Sequence, residues 1–438
     1  LTNNEKNLSQ SSIKKTLDHG IGCSVLYTLS KSRFYQEKLA QATFSISDIC
    51  RSIEAGSSGL EVLSQLPTTC KDELNRAGKK TWCVPQSDIV DISTTSGTTG
   101  IATLYPMTQK DITRLGYNEK LCFETAGITR DDIVILAVTQ DRCIMAGLAY
   151  FEGLKQIGAT VIRTGSASVL MVLEMIKRIK PTAIVAVPSF LSRVADQAHQ
   201  SGLSLNNSSV SKLICIGEPI RDKTFELTNL GKYLSEQWSA ELYSTYGQTE
   251  IATAFCECRY GLGGHFHPEL IYVEVLDDEG NKVPDGKIGE LTATTIGVEA
   301  MPVLRFRTGD YSFINRKRCD CGLETWRVGP ILGRKKQMLK LKGTTVYPMA
   351  VQQVLESIEH ITGYVMTARN NELLSDELEI LISVKNSFDG NMKDIVLKHC
   401  QAQLKVKPHV RVVDLKKIEE LQRDGKNRKR RVFIDERK

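Results

Sequence analysis

Between residues 131 and 246 the chain repeats one theme, a short β-branched, apolar run followed by an amphipathic stretch of helical length. Residues 133–138, 160–163, 183–187, 213–216 and 241–246 read as strands, and 149–157, 169–179, 190–199 and 225–238 as helices. Short buried strands alternating with helices specify βαβ units and a parallel sheet. Right-handed crossovers then gather the loops, and any ligand, at the carboxyl ends of those strands. Residues 141–150, 187–190 and 239–246 are the segments expected to line a pocket there.

The rest of the chain departs from this theme twice. Residues 1–90 read as helices with aromatic anchors such as Phe34 and Tyr35. After Ile271 the helices stop, and strands at 272–276, 290–295 and 303–306 alternate with turn signals such as Asp278-Glu279-Gly280 and Pro284-Asp285-Gly286, which predicts a small antiparallel β-subdomain. Beyond Gly333 a compact α+β pattern begins: a helix over 349–359, strands at 364–368 and 378–384, a helix over 392–404 and a strand at 410–415. A length of 438 residues asks for two or more domains, and the boundary falls between 333 and 334.

A hydrophobic fraction of 41% and a charged fraction of 25% are those of an ordinary globular protein. No apolar run is long enough to span a bilayer, and no signal-peptide core follows the first residues, so a cytoplasmic protein with no membrane partner is expected. Leu1 stands where a Met is usual, so a short preceding piece is expected to be missing or trimmed. The net charge of +6 is concentrated at one end, since residues 416–438 hold ten Lys or Arg against five Asp or Glu. A basic tail is ordinarily a solvated surface, and nucleic acid is not an expected partner.

Ser93–Gly100 holds six hydroxyl side chains and two glycines. Glycines permit close backbone approach, so successive N–H groups can point into one anion, and hydroxyls add donors for phosphate oxygens. The run is not a Walker loop, which needs Lys-Ser/Thr after its last glycine; Ile101-Ala102-Thr103 follows here.

Thr95-Ser96-Gly97-Thr98-Thr99-Gly100 resembles the signature of the superfamily of acyl-CoA synthetases, luciferases and peptide-synthetase adenylation domains. Further motifs of that superfamily follow in order: Tyr246-Gly247-Gln248-Thr249-Glu250, Arg307-Thr308-Gly309-Asp310, the hinge-like Gly333-Arg334-Lys335-Lys336, and the glycine loop 343–348. More narrowly the chain resembles the phenylacetate–CoA ligase branch, with counterparts of Ser32-Arg33-Phe34-Tyr35, Leu66-Pro67-Thr68-Thr69-Cys70-Lys71 and Arg305-Phe306-Arg307-Thr308-Gly309-Asp310.

The resemblance implies a large adenylation domain, 1–333, and a small mobile C-terminal domain, 334–438, that turns about Lys336. It implies ATP and coenzyme A as co-substrates, a small carboxylic acid as partner (aryl or arylacetic by default), Mg²⁺ as cofactor and a possible homodimer. Thr95–Gly100 would then hold the β- and γ-phosphates, Thr249 the α-phosphate, Glu250 the Mg²⁺ and Asp310 the ribose hydroxyls. Arg334 would contact ribose or phosphate, Gly217-Glu218-Pro219 would line the adenine, and Lys426 would be the catalytic lysine, with Lys429 as its rival. One departure stands out: where the family usually continues the phosphate loop with Lys-Pro or Gly-x-Pro, this chain has Ile101-Ala102-Thr103.

Cys258, His265, Cys319 and Cys321 are of the residue types that make a closed tetrahedral Zn²⁺ site, with Cys256 and His267 as rival ligands. The same branch carries a comparable cysteine arrangement, so structural zinc is expected. Three functions follow from these readings. The first is an acid–CoA ligase that forms AMP and pyrophosphate. The second is an adenylate-forming enzyme with a different acceptor. The third is a zinc-containing nucleic-acid-binding protein.

Overall fold

The computed structural model describes residues 9–95, 103–166, 168–341, 344–370, 376–385, 388, 390–422 and 431–437. The chain forms two compact units, Leu1–Thr308 with Ser312–Ile331, and Gly309–Tyr311 with Leu332–Lys438.

The first unit opens with four helices, Gln10–Lys31, Arg33–Gln41, Ile46–Glu54 and Gly59–Gln65. Each starts where a serine can cap it: Ser9, Ser32, Ser45 and Ser58 accept from the backbone N–H three residues on. Ile13, Leu17, Ile21, Val25 and Leu29 of the first helix are buried, and their i, i+4 spacing puts them on one face.

Among the described residues a nine-stranded sheet forms the middle of this unit. Its parallel part runs in the order Thr160–Arg163, Ile133–Leu136, Ala183–Ala186, Lys212–Ile216, Glu241–Gln248. Numbered along the chain this is 2-1-3-4-5, the doubly wound order, with its switch point between Ile133–Leu136 and Ala183–Ala186. Both faces are covered, so the inner strands read as unbroken apolar runs; all of Ala183–Ala186 is buried. One core contains Val172, Ile184, Phe190, Leu213 and Trp238. Another contains Phe123, Val138, Tyr150, Val185, Ile214 and Tyr243. Beyond Glu241–Gln248 the sheet turns antiparallel through Thr253–Glu257, Gly264–His265, Arg327–Val328 and Ile314–Asn315.

Several details differ from expectation, among them the helix expected over 149–157, which begins at Met145, and the one expected over 349–359, which ends at Glu356. The helix predicted over 225–238 starts at Asn229, because Thr228 caps it and Phe225 takes a left-handed φ of 68° beside the Arg221–Leu227 bridge. The strand predicted at 303–306 begins at Phe306 and runs to Ser312, after Arg305 at φ 44°. The β-subdomain is also not wholly antiparallel, since Thr69–Cys70 from the helical N-terminal region pairs parallel with Phe306–Arg307.

The second unit is the expected α+β fold. Its four-stranded sheet runs His409–Val412, Asp376–Val384, Ile361–Asn370, Phe433–Asp435, with helices Pro348–Glu356 and Met392–Leu404 packed on it. The strand predicted over 410–415 ends at Val412, and a helix, Leu415–Gln422, follows. Leu415–Gln422 and Phe433–Asp435 both lie in the basic segment, where charge obscures periodicity. No helix among the described residues is long and apolar enough to cross a membrane.

Candidate functional site

The run expected to hold phosphates, residues 95–100, is flanked by two paired strands, Asp91–Thr94 and Leu104–Met107. Thr95 closes its base: its N–H donates to the Thr103 carbonyl at 3.2 Å, and its hydroxyl accepts from the Thr103 N–H at 3.2 Å. Ser96, Gly97, Thr98, Thr99 and Gly100 lie outside the described residues. The Thr94 N–H donates to the Cys143 carbonyl at 2.7 Å, which fastens the hairpin to the loop that leaves the first parallel strand.

Tyr246 and Gly247 sit in the last turn-facing residues of Glu241–Gln248, opposite Phe255 and Ala254. The Tyr246 ring stacks on Phe255 with centroids 5.9 Å apart and planes at 15°. A side chain at Gly247 would meet Ala254 and Thr253 at 3.2 Å, so glycine lets the strand pair closely here. Thr249 and Glu250 then fall in a tight turn, Thr249–Ile251. Glu250 is 3% exposed, and its carboxylate lies 2.9 Å from the Lys71 ammonium. Lys71 begins the helix Lys71–Ala77 directly after Thr69–Cys70, so the parallel pairing with Phe306–Arg307 delivers it to Glu250. No local pattern singles out Lys71: the segment 66–71 is legible only as a likeness, and the pairing that places it joins residues far apart in the chain.

Gly217 takes a left-handed φ of 69° as the chain leaves Lys212–Ile216. The next residue, Glu218, accepts from the Ser189 N–H and hydroxyl, each at 2.9 Å. A carboxylate at the start of the Pro188–Gln200 helix satisfies orphan N–H groups and the helix dipole, so Glu218 ties together the loops that follow two adjacent strands. Pro219 follows in the same loop, half-buried.

In the second unit, Asp310 and Arg334 are direct cross-strand partners. Asp310 is 3% exposed, and one of its oxygens accepts from Arg334 Nε at 3.2 Å. Gly309, at φ 77°, supplies the turn in conformation that precedes the aspartate. Lys336 lies in the turn Lys335–Gln337, and its carbonyl accepts from Arg437 Nη2 at 3.0 Å. Lys426 and Lys429 lie outside the described residues.

The cysteine and histidine cluster assembles in the first unit. One ligand atom from each of Cys258, His265, Cys319 and Cys321 lies within 4.8 Å of all the others. Cys258 and Cys319 sulfurs are 3.6 Å apart, and Cys321 sulfur is 3.4 Å from His265 Nε2. Tetrahedral zinc needs ligand atoms about 3.5–3.8 Å apart, given its Zn–S and Zn–N bond lengths. The other ring nitrogen of His265 is fixed by the Thr325 hydroxyl at 3.0 Å, which orients Nε2 into the cluster. The Cys258 thiol donating to Cys321 pushes the Cys321 thiol down, His265 adds to this, and the Cys258 thiol is pushed up in turn.

Neither rival belongs to this group of four. Cys256 is buried in the core with Phe123, Tyr150 and Tyr243. His267 is buried, and burial and then His265 push its ring down to about 3.

Residues 10–300 match the family of AMP-binding enzymes, and residues 343–437 match the C-terminal domain of AMP-binding enzymes. The chain belongs to the AMP-binding enzyme family. Among curated proteins of the family, the chain is 28% identical to a phenylacetate–coenzyme A ligase of Thermus thermophilus, over 83% of this chain and 80% of that one. It is 26% identical to a phenylacetate–coenzyme A ligase of Pseudomonas putida, over 79% and 78%. Among solved structures, that of a 2-hydroxyisobutyryl-CoA ligase in the postadenylation state, in complex with R3-HIB-AMP, superposes with a TM-score of 0.84 at 20% identity, covering 99% of this chain and 92% of that one. This last likeness concerns the fold, which is the mixed α/β fold of adenylate-forming enzymes.

Proposed function

We propose that the chain joins a carboxylic acid to AMP at the expense of ATP and passes the acyl group to coenzyme A. The observation that carries this reading is Glu250, buried at the carboxyl end of a parallel strand and held by Lys71, in a chain of the AMP-binding family. The chemistry is that of an AMP-forming acid–CoA ligase. A carboxylate oxygen attacks the α-phosphorus, the bond to pyrophosphate breaks, and acyl-AMP forms. The coenzyme A sulfur then attacks the acyl carbon, the bond to AMP breaks, and the thiol proton passes to solvent.

Two anions must meet in the first step, so charge at the phosphates has to be offset. Thr95 and the rest of the loop through Gly100 offer N–H and hydroxyl donors to the β- and γ-phosphates, and Thr249 offers one to the α-phosphate. Glu250 is the residue for Mg²⁺, a hard cation that takes oxygen ligands and offsets phosphate charge when bound. Lys71 balances Glu250 electrostatically and supplies a cation that Ile101 does not. Asp310 has the two acceptor oxygens that a ribose diol requires, and Arg334 orients it. Lys426 is the proposed lysine at the reacting phosphate, and Lys336 the proposed hinge. Cys258, His265, Cys319 and Cys321 would hold zinc as a closed structural site that pins strands Thr253–Glu257 and Gly264–His265 to the loop bearing Cys319. The relatives' names make phenylacetate the first acid to try.

The test is product analysis by mass spectrometry. With ATP, Mg²⁺, coenzyme A and a panel of acids, one acid should give its CoA thioester together with AMP in equal amounts. Acyl-AMP without any thioester would point to a different acceptor, and ADP in place of AMP would refute the reading.

A further inference from the structure

The parallel strands assign a place to the acid, and the residue filling that place is Tyr150. At the switch point between Ile133–Leu136 and Ala183–Ala186 successive connections leave in opposite directions, opening a crevice over the carboxyl ends of the strands. The loop over 139–144 forms one wall, and the Thr94–Cys143 hydrogen bond sets that wall beside the base of the phosphate loop. The crevice therefore lies close to the segment proposed to hold the pyrophosphate end of ATP.

Tyr150 projects from the helix Met145–Ile157 and is 9% exposed. Its ring packs edge-on against Phe123, with centroids 5.9 Å apart and planes at 66°, within the core that holds Val138, Val185 and Ile216. Its hydroxyl lies near the side chain of Thr245, the residue before Tyr246. The side chain thus crosses from the helix to the strand that bears the nucleotide motif. The helix has no room to shift toward its neighbour on the other side. A side-chain carbon at Gly153 would lie 2.5 Å from Glu119 Cβ and 2.9 Å from the Lys120 nitrogen, so these helices are already as close as their backbones permit.

We propose that Tyr150 closes the far end of the acid pocket and restricts this chain to short aliphatic carboxylic acids in preference to arylacetic acids. The protein's own phenol ring fills the space that a substrate ring would need. The inference rests on the adenylation reading above and narrows its substrate class.

The experiment is acid-dependent ATP–pyrophosphate exchange with acetate, propionate, isobutyrate, benzoate and phenylacetate, for the wild type and for Tyr150→Ala, Tyr150→Leu and Tyr150→Phe. In the wild type a short acid should exceed phenylacetate in kcat/KM by about tenfold or more, the discrimination a steric pocket can supply. Tyr150→Ala should raise phenylacetate or benzoate by about tenfold or more while weakening the short acids. Tyr150→Leu keeps a core-filling apolar side chain and should shift the ranking the same way if the alanine variant does not fold. Tyr150→Phe removes only the hydroxyl, keeps the ring and should keep the wild-type ranking. Wild-type exchange as fast with phenylacetate as with any short acid would overturn the inference and leave the ligase reading intact. So would folded Tyr150→Ala or Tyr150→Leu with an unchanged ranking. Absence of exchange with every acid would instead overturn the adenylation reading, and this inference with it.

Discussion

Glu119 offers a prediction that can be worked through from the structure. It lies on the helix Gln109–Thr125, is 4% exposed, and faces the groove where Gly153 allows the neighbouring helix its close approach. Burial pushes its carboxyl up to about 8. In the unfolded chain the same group ionises near its ordinary value of about 4.3. Between those two pH values the unfolded state releases a proton that the folded state retains. The group's contribution to stability is therefore fully present below about pH 4.3 and is lost progressively as pH rises through about 8. The slope is about 1.4 kcal/mol per pH unit, which accumulates to roughly 4 kcal/mol at pH 7 as an upper bound. Glu119→Gln keeps the shape and removes the ionisation.

The assay is equilibrium denaturation at several values between pH 5 and pH 8, followed by tryptophan fluorescence. Trp82, Trp238 and Trp326 are the chain's three tryptophans and all lie in the first unit, so the signal reports the unit that holds Glu119. The stability gap in favour of Glu119→Gln should widen with rising pH by about 1.4 kcal/mol per unit. Comparing the gap across pH removes any constant cost of burying an amide in place of a carboxyl. Parallel curves for wild type and variant would refute the reasoning, because they would mean that Glu119 ionises in the folded protein much as it does in the unfolded chain.

Three further outcomes are expected. Lys71→Ala should leave Glu250 without its cation and lower ATP-dependent exchange by about tenfold or more, with most of the loss recovered in Lys71→Arg; unchanged exchange in the alanine variant would remove Lys71 from the site. Asp310→Asn should weaken ATP binding on the order of tenfold, read by calorimetry, since a charged hydrogen-bond acceptor is lost where the ribose is proposed to sit. Purified protein should hold one zinc per chain by metal analysis, and Cys319→Ser should lower both the zinc content and the melting temperature; equal metal content in the two proteins would refute the site.

The fold was legible wherever local pattern and tertiary environment agree. Thr160–Arg163, Val169–Ile179 and Met392–Leu404 fall where their pattern places them: the first is a short β-branched run at the end of the sheet's strand order, and the other two are helices with one buried face. Boundaries failed where backbone conformation outweighs hydrophobic pattern, as at Phe225 and Arg305, both in the left-handed region. Contacts between distant segments were not legible at all. Thr69–Cys70 is two residues long, and only its pairing with Phe306–Arg307 makes it a strand and gives Lys71 its position. The cysteine and histidine cluster was readable as residue types, but setting Cys256 and His267 apart from it needed the register of the strands. Asp310 and Arg334 were each visible as parts of motifs, while their mutual contact depends on the pairing of two strands.

The claim that this chain makes acyl-AMP is tested most directly by ATP–pyrophosphate exchange in the absence of coenzyme A. Labelled pyrophosphate should enter ATP only when a suitable acid is present, and Glu250→Gln should abolish the exchange while the protein remains folded. Exchange that is independent of acid, or none with any acid across a broad panel, would contradict the account.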